Sequence, residues 1–176
     1  MMDRSWLGAA VGAGAALALL LDARAAAAEV VLGMEPRVEL MFRDRPRFGP
    51  GLMVTLGYSL DLYPLLLAPE IEVGGSIYPG EGPFGDARVM GGLRVGFTAS
   101  VEPSIYVHAG YGFVDEHPVD AEPANAHGFA VDAGATLDGR LARELTLGGS
   151  LGYQGIVAGG SSMHGIVAGI HLGVWF

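Results

Sequence analysis

Between Gly51 and Leu62 the chain reads GLMVTLGYSLDL, and its apolar residues fall on every second position. Leu52, Val54, Leu56, Tyr58, Leu60 and Leu62 form one set. Gly51, Met53, Thr55, Gly57, Ser59 and Asp61, mostly small or polar, form the other. Successive side chains of a β-strand point to opposite faces, so a period of two held this long means a strand between two different environments.

The pattern recurs along the chain. Val30, Leu32, Met34, Val38, Leu40 and Phe42 alternate with Glu35, Arg37 and Glu39, and Ile71, Val73 and Ile77 alternate with Glu70, Glu72 and Ser76. Val89, Leu93, Val95, Phe97 and Val101 oppose Arg88, Gly92, Arg94, Gly96 and Thr98. Further on, Ile105, Val107, Ala109, Tyr111 and Phe113 oppose Tyr106, His108, Gly110 and Gly112, and Phe129, Val131 and Leu137 oppose Asp132, Gly134 and Thr136. Leu145, Leu147, Leu151, Tyr153 and Val157 oppose Thr146, Gly148, Ser150, Gly152 and Gln154, and Ile166, Ile170, Leu172, Val174 and Phe176 oppose Gly169, His171, Gly173 and Trp175. The result is eight strands of about ten to fourteen residues, the length of a tilted transmembrane strand rather than of a soluble one.

The composition of the second face decides which way the strands look. A wetted outer face would be dense in charge, yet this one is rich in glycine, serine and threonine with few ionised groups. Small residues fit a narrow interior, and isolated charges can pair there. Eight strands enclose only enough room for their own side chains. The apolar face is therefore expected to meet lipid, giving an all-β, eight-stranded antiparallel up-and-down transmembrane β-barrel.

The connections expected from composition agree. Arg43–Pro50, Tyr78–Ala87, Asp115–His127 and Ala158–His164 carry Pro, Gly and charge, whereas Glu102–Pro103 and Ala142–Glu144 are short. Longer loops at one rim and short turns at the other suit an outer-membrane barrel with both termini in the periplasm. The connection Asp61–Pro69 breaks this pattern by being longer and apolar. Phe42, Tyr58, Phe97, Phe113, Phe129, Tyr153 and Phe176 are placed to form interfacial aromatic girdles.

The first residues read as an export signal that precedes the barrel. Arg4 supplies a weak positive start, Leu7 to Leu21 is an apolar run, and DARAAAA offers small residues for cleavage. The expected cleavable signal peptide is 1–28, cut after Ala28 with Ala25 to Ala27 as competing sites, leaving a single barrel domain over 29–176. At fifteen residues the run is short for a membrane anchor. Asp3, Arg4, Asp22 and Arg24 cancel, so the mature chain keeps the net charge of −9. An acidic surface argues against nucleic acid and against binding anionic headgroups. The absence of cysteine excludes disulfides and thiol chemistry.

At the end of the chain Ile170, Leu172 and Val174 share one face with a terminal Phe176. This resembles the last strand of bacterial outer-membrane barrels, and with the segment YVHAGYGFVD the chain resembles the small OmpA/OmpX-like β-barrel group. The resemblance implies a Gram-negative outer-membrane location and recognition of that strand by the outer-membrane assembly machinery. Its further implications are a lipid bilayer as partner and a monomer.

The residues with chemistry to offer lie mostly on the inward face. Glu35, Arg37, Glu39, Glu70, Glu72, Arg88, Arg94 and Asp132 point inward in these registers, and charges in a narrow lumen must pair. An ion-pair network that plugs the barrel is the expectation. His108 and His171 also point inward, on strands that are not neighbours. The acidic stretch DEHPVDAEPANAH lacks the spacing of a calcium loop, and Ser161, Ser162 and His164 come with no orienting acid for a hydrolytic triad. No catalytic residue, metal or cofactor is expected. The leading reading is a non-enzymatic, porin-like cell-envelope barrel with a structural or surface-interaction role. A narrow channel or small-ligand carrier is the alternative, followed by a soluble periplasmic lipocalin-like barrel with the faces reversed.

Overall fold

A computed structural model describes residues 28–43, 45–117, 122, 124–158 and 161–176. The expected signal peptide therefore lies outside the described residues, apart from Ala28. Eight strands follow one another: β1 (Ala28–Phe42), β2 (Arg47–Leu62), β3 (Leu65–Tyr78), β4 (Phe84–Phe97), β5 (Val101–Glu116), β6 (Ala124–Ala142), β7 (Leu145–Ala158) and β8 (Ser161–Trp175). Each pairs antiparallel with the next, and β8 returns to β1 to close a barrel. Closure removes the exposed edges that an open sheet would leave unpaired in lipid. The seam ends on backbone bonds in both directions between Val30 and Phe176, at 3.2 and 3.0 Å.

The stagger of the barrel follows from its register. Stepping across paired residues from Val31 leads through Gly57, Glu70, Gly92, His108, Asp132, Gln154 and Gly165 to Met41, ten positions further along β1. Eight strands with that stagger tilt by roughly 41° around a barrel of roughly 8 Å radius. A strand of 15 residues, such as β1, then rises roughly 37 Å along the axis, more than the hydrocarbon thickness of a bilayer.

The two faces separate as the alternation predicts. Val54, Leu56, Ile71, Val89, Val107, Leu151 and Ile170 are among the large apolar side chains exposed on the outer wall. Exposed aromatics ring both ends of that wall. Tyr58, Tyr63, Phe97 and Phe176 lie toward the end carrying the termini, and Phe48, Tyr111, Phe113, Phe129 and Tyr153 toward the other. Phe42, expected in the girdle, is only half-exposed.

The strand ends differ from expectation. β2 starts at Arg47, β4 at Phe84, β6 at Ala124 and β8 at Ser161, each inside a stretch whose Pro, Gly or charge suggested a loop. Hairpin pairing continues past the apolar band because a ladder needs backbone partners, not apolar side chains. The connection after β2 is corrected more sharply: only Tyr63 and Pro64 separate the strands, and Leu62 pairs with Leu65. That turn now matches the other short turns at its rim, while the loops after β1 and β3 are shorter than the composition implied.

Candidate functional site

The inner wall is layered. Near the rim away from the termini, Met41, Tyr78, Phe84, Val114, Ile156 and Met163 pack into a buried apolar cap, and Met53 and Met90, paired with Glu35 and Glu72, carry the same cluster down beside the charges. At the opposite end Leu66, Ala68 and Trp175 form a smaller apolar floor. Between cap and floor the inner wall carries most of its charged side chains.

Just beneath the cap, Arg88 lies 2.9 Å from Glu39 and 2.9 Å from Asp86. It also donates to Ser76 Oγ at 3.3 Å and to Gln154 Oε1. Tyr78 donates its hydroxyl hydrogen to Glu39, which accepts a further bond from the Gln154 amide. One guanidinium thus ties β4 to β1, β3 and β7.

A second, larger set lies below. Arg37 meets Glu35 at 2.9 Å, Glu72 at 3.0 Å and Asp132 at 3.1 Å. His108 bridges Glu72 at 2.8 Å and Glu70 at 3.1 Å, and its ring stacks on Tyr106. Arg94 reaches Glu70 at 2.8 Å, Thr136 at 3.2 Å and Asp138 at 3.6 Å. His171 sits between Asp138 and Glu35. Nearest the floor, Arg140 pairs with Glu102 at 3.3 Å and lies over the Trp175 ring.

Glycines make two of these contacts possible. Gly92 stands on β4 between Glu70 and His108 in the same paired row, and Gly148 on β7 stands between Asp138 and His171. A Cβ at Gly92 would run into His108 Cδ2, and one at Gly148 would lie 2.7 Å from His171 Cε1. Without a side chain on the intervening strand, partners two strands apart meet above it.

All eight charged residues singled out in the sequence lie on the inner wall, in two sets: Glu39 with Arg88, and Glu35, Arg37, Glu70, Glu72, Arg94 and Asp132. Sequence reasoning missed Asp86, Glu102, Asp138 and Arg140. The first two lie in stretches assigned to connections, and the other two fall near a strand end beyond the clear alternation. It also missed the apolar cap.

Ile170, Leu172 and Phe176 are exposed on the outer wall, and Val174 is half-exposed. His164 lies between the rings of Phe42 and Tyr153, and no carboxylate contacts it among the described residues. Much of the acidic stretch after β5, including Asp120, lies outside the described residues. Among the described residues no three His, Asp or Glu side chains converge as metal ligands.

No protein-family model and no curated protein matches the sequence. Solved structures match by shape. Neisserial surface protein A aligns with TM-score 0.69 at 9% identity, over 84% of this chain and 97% of that one. Ail, the attachment invasion locus protein of Yersinia pestis, aligns with TM-score 0.59 at 12% identity, over 85% and 99%. A major outer membrane protein from Thermus thermophilus aligns with TM-score 0.53 at 15% identity, over 85% and 100%. At such identities the likeness is one of fold: this chain has the eight-stranded barrel fold of small outer-membrane proteins.

Proposed function

We propose that this chain is a non-enzymatic protein of the Gram-negative outer membrane, exported through a signal peptide cleaved after Ala28, and that its rim rather than its lumen is its working surface. The observation that carries the reading is Arg88, buried in the middle of the barrel and tied to three other strands directly under an apolar cap. A hydrated path would have to break that set of contacts and wet the cap. The role is then structural or one of surface interaction, which suits the neighbour Ail, an attachment and invasion protein also solved with the heparin analogue sucrose octasulfate.

In this reading the end carrying both termini faces the periplasm, and the loops after β1, β3, β5 and β7 face outward. Ile170, Leu172, Val174 and Phe176 present an apolar face ending at the β1–β8 seam, which is where the assembly machinery would read the last strand. The barrel works as a monomer.

Reconstitution into planar bilayers tests the plug. The folded barrel, recognised by faster migration of the unboiled sample in electrophoresis, is expected to give no steady current steps. Regular steps would overturn it.

One observation favours the second reading, a narrow path or small-ligand site. A cavity of about 60 Å³ lies toward the floor, lined by Glu35, Glu70, Arg94, Glu102, Asp138 and His171 among others. That volume holds a few waters. Current that changes on Arg94→Ala would favour this reading.

A further inference from the structure

The cavity toward the floor owes its room to a missing pair of side chains. Gly33 on β1 and Gly173 on β8 face each other across the seam, and both lie on the cavity wall. Above the cavity the lumen is closed. The side chains of Arg37, Glu72 and Asp132 keep at most 3% of their surface accessible, whereas those of Glu35, Asp138, His171 and Arg94 keep 10 to 17%. The cavity is therefore a blind pocket that ends beneath Arg37. Its volume of about 60 Å³ takes a molecule of a few non-hydrogen atoms.

Two features of the wall say what kind of molecule. The first is charge. The lower set holds six carboxylates against three guanidiniums and two imidazoles. One negative charge stays unmatched even with both imidazoles protonated, and a buried charge without a partner is costly. The second is an idle acceptor. His171 lies on the cavity wall, only 8% exposed, with its Nε2 against Asp138. Its Nδ1 has no hydrogen-bond partner among the described residues, the Glu35 carboxylate being too far at 3.7 Å. With Nε2–H given to Asp138, Nδ1 carries a lone pair. The imidazole and the Glu35 carboxylate are then two acceptors with no donor between them. Val31, Leu66 and Trp175 supply an apolar side to the same space.

We propose that this pocket binds a small primary ammonium. Its N–H groups are donated to His171 Nδ1 and the Glu35 carboxylate, and its short carbon chain rests on Leu66 and Trp175. A bare metal ion does not suit the wall, because no three His, Asp or Glu side chains converge as ligands among the described residues. An ammonium brings its own donors and needs only acceptors. A soluble amine and an ethanolamine headgroup of the periplasmic leaflet both offer this group. The inference rests on the small-ligand reading of this cavity and leaves the cap shut above it.

The folded barrel is placed in phosphatidylcholine nanodiscs, which leave both ends open to solvent. It is titrated calorimetrically with ethylammonium, ethanol and tetramethylammonium at constant ionic strength. One-to-one binding of ethylammonium is expected, roughly tenfold tighter than either other probe, since ethanol lacks the charge and tetramethylammonium the N–H groups. Glu35→Gln should weaken it by a similar factor, and Asp86→Asn, which removes a lumen carboxylate above Arg37, should leave it unchanged. If Glu35→Gln does not fold, the nitrogen NMR resonance of His171 Nδ1 in the wild type decides: it must move on saturation while those of His108 stay. Ethanol binding as tightly as ethylammonium overturns the inference and keeps the small-ligand reading, whereas no binding of any probe overturns both. Equal binding of tetramethylammonium, or an unmoved Nδ1 resonance, marks a diffuse cation and overturns the inference alone. Repeating the titration with phosphatidylethanolamine in the nanodiscs separates the sources. Competition there assigns the ammonium to the lipid and undiminished binding assigns it to a soluble amine, and either result supports the site.

Discussion

Arg88 and Glu39 meet at 2.9 Å inside the lumen with both side chains fully shielded from solvent. Neither charge could stay there alone, because breaking a buried pair leaves an uncompensated ion in a poorly solvating interior.

Arg88→Met is therefore expected to destabilise the barrel by about 3–5 kcal/mol, since it strands both Glu39 and Asp86. Adding Glu39→Gln and Asp86→Asn to the same chain should recover most of the loss, because no orphaned charge remains. Urea unfolding in vesicles, followed by the gel shift of unboiled samples, measures both. Equal stability of the single variant and the wild type would remove the pair from the account.

Gly92 offers a test of the row that links Glu70 to His108. A Cβ there would collide with the Val107 carbonyl oxygen and lie 2.7 Å from His108 Cα. Both are backbone atoms, which cannot swing aside. Gly92→Ala should cost about 1–3 kcal/mol in the same unfolding assay. Gly91, whose nearest neighbour is 3.8 Å away, should accept alanine with little change.

Val107 sits near the middle of β5 on the outer wall. If that wall meets hydrocarbon, Val107→Arg places a charge in lipid and should cost about 2–4 kcal/mol. In a barrel whose outer wall met water, the same change would be nearly neutral. Folding into vesicles at graded urea separates the two.

In the proposed plug, the cap and the charges close the lumen in series. Arg94→Ala alone should leave the barrel electrically silent, because Met41, Phe84 and Met90 still block the end above it. Combining Arg88→Ala with Phe84→Ala and Met90→Ala should admit small ions and give measurable conductance. Silence in that triple variant, with the gel shift intact, would mean that neither element controls access.

Much of this arrangement was legible in the sequence because side chains in a strand alternate with a period of two. GLMVTLGYSLDL assigns each of its residues to a face before any partner strand is known. Eight of the charged residues of the inner wall could be picked out in the same way. What alternation cannot give is register. That Gly92 falls between Glu70 and His108 depends on how three strands are staggered, and no single strand records it.

The cap was hidden for a different reason. Its members adjoin outward apolar residues, as in Val89–Met90, Phe113–Val114 and Ile156–Val157. Such pairs look continuously apolar, so the inward partner gives no polar signal. Asp86 was lost because β4 begins at Phe84, inside a stretch whose glycines and Pro83 read as loop.

The central claim is that the apolar face looks out into lipid. Since the chain has no cysteine of its own, single cysteines at Val89, Val107 and Leu151 can each carry a nitroxide label in vesicles. The account predicts ready collision with dissolved oxygen and protection from a water-soluble nickel chelate at all three. Free access of the nickel chelate to these positions would show that the outer wall meets water, contradicting the account.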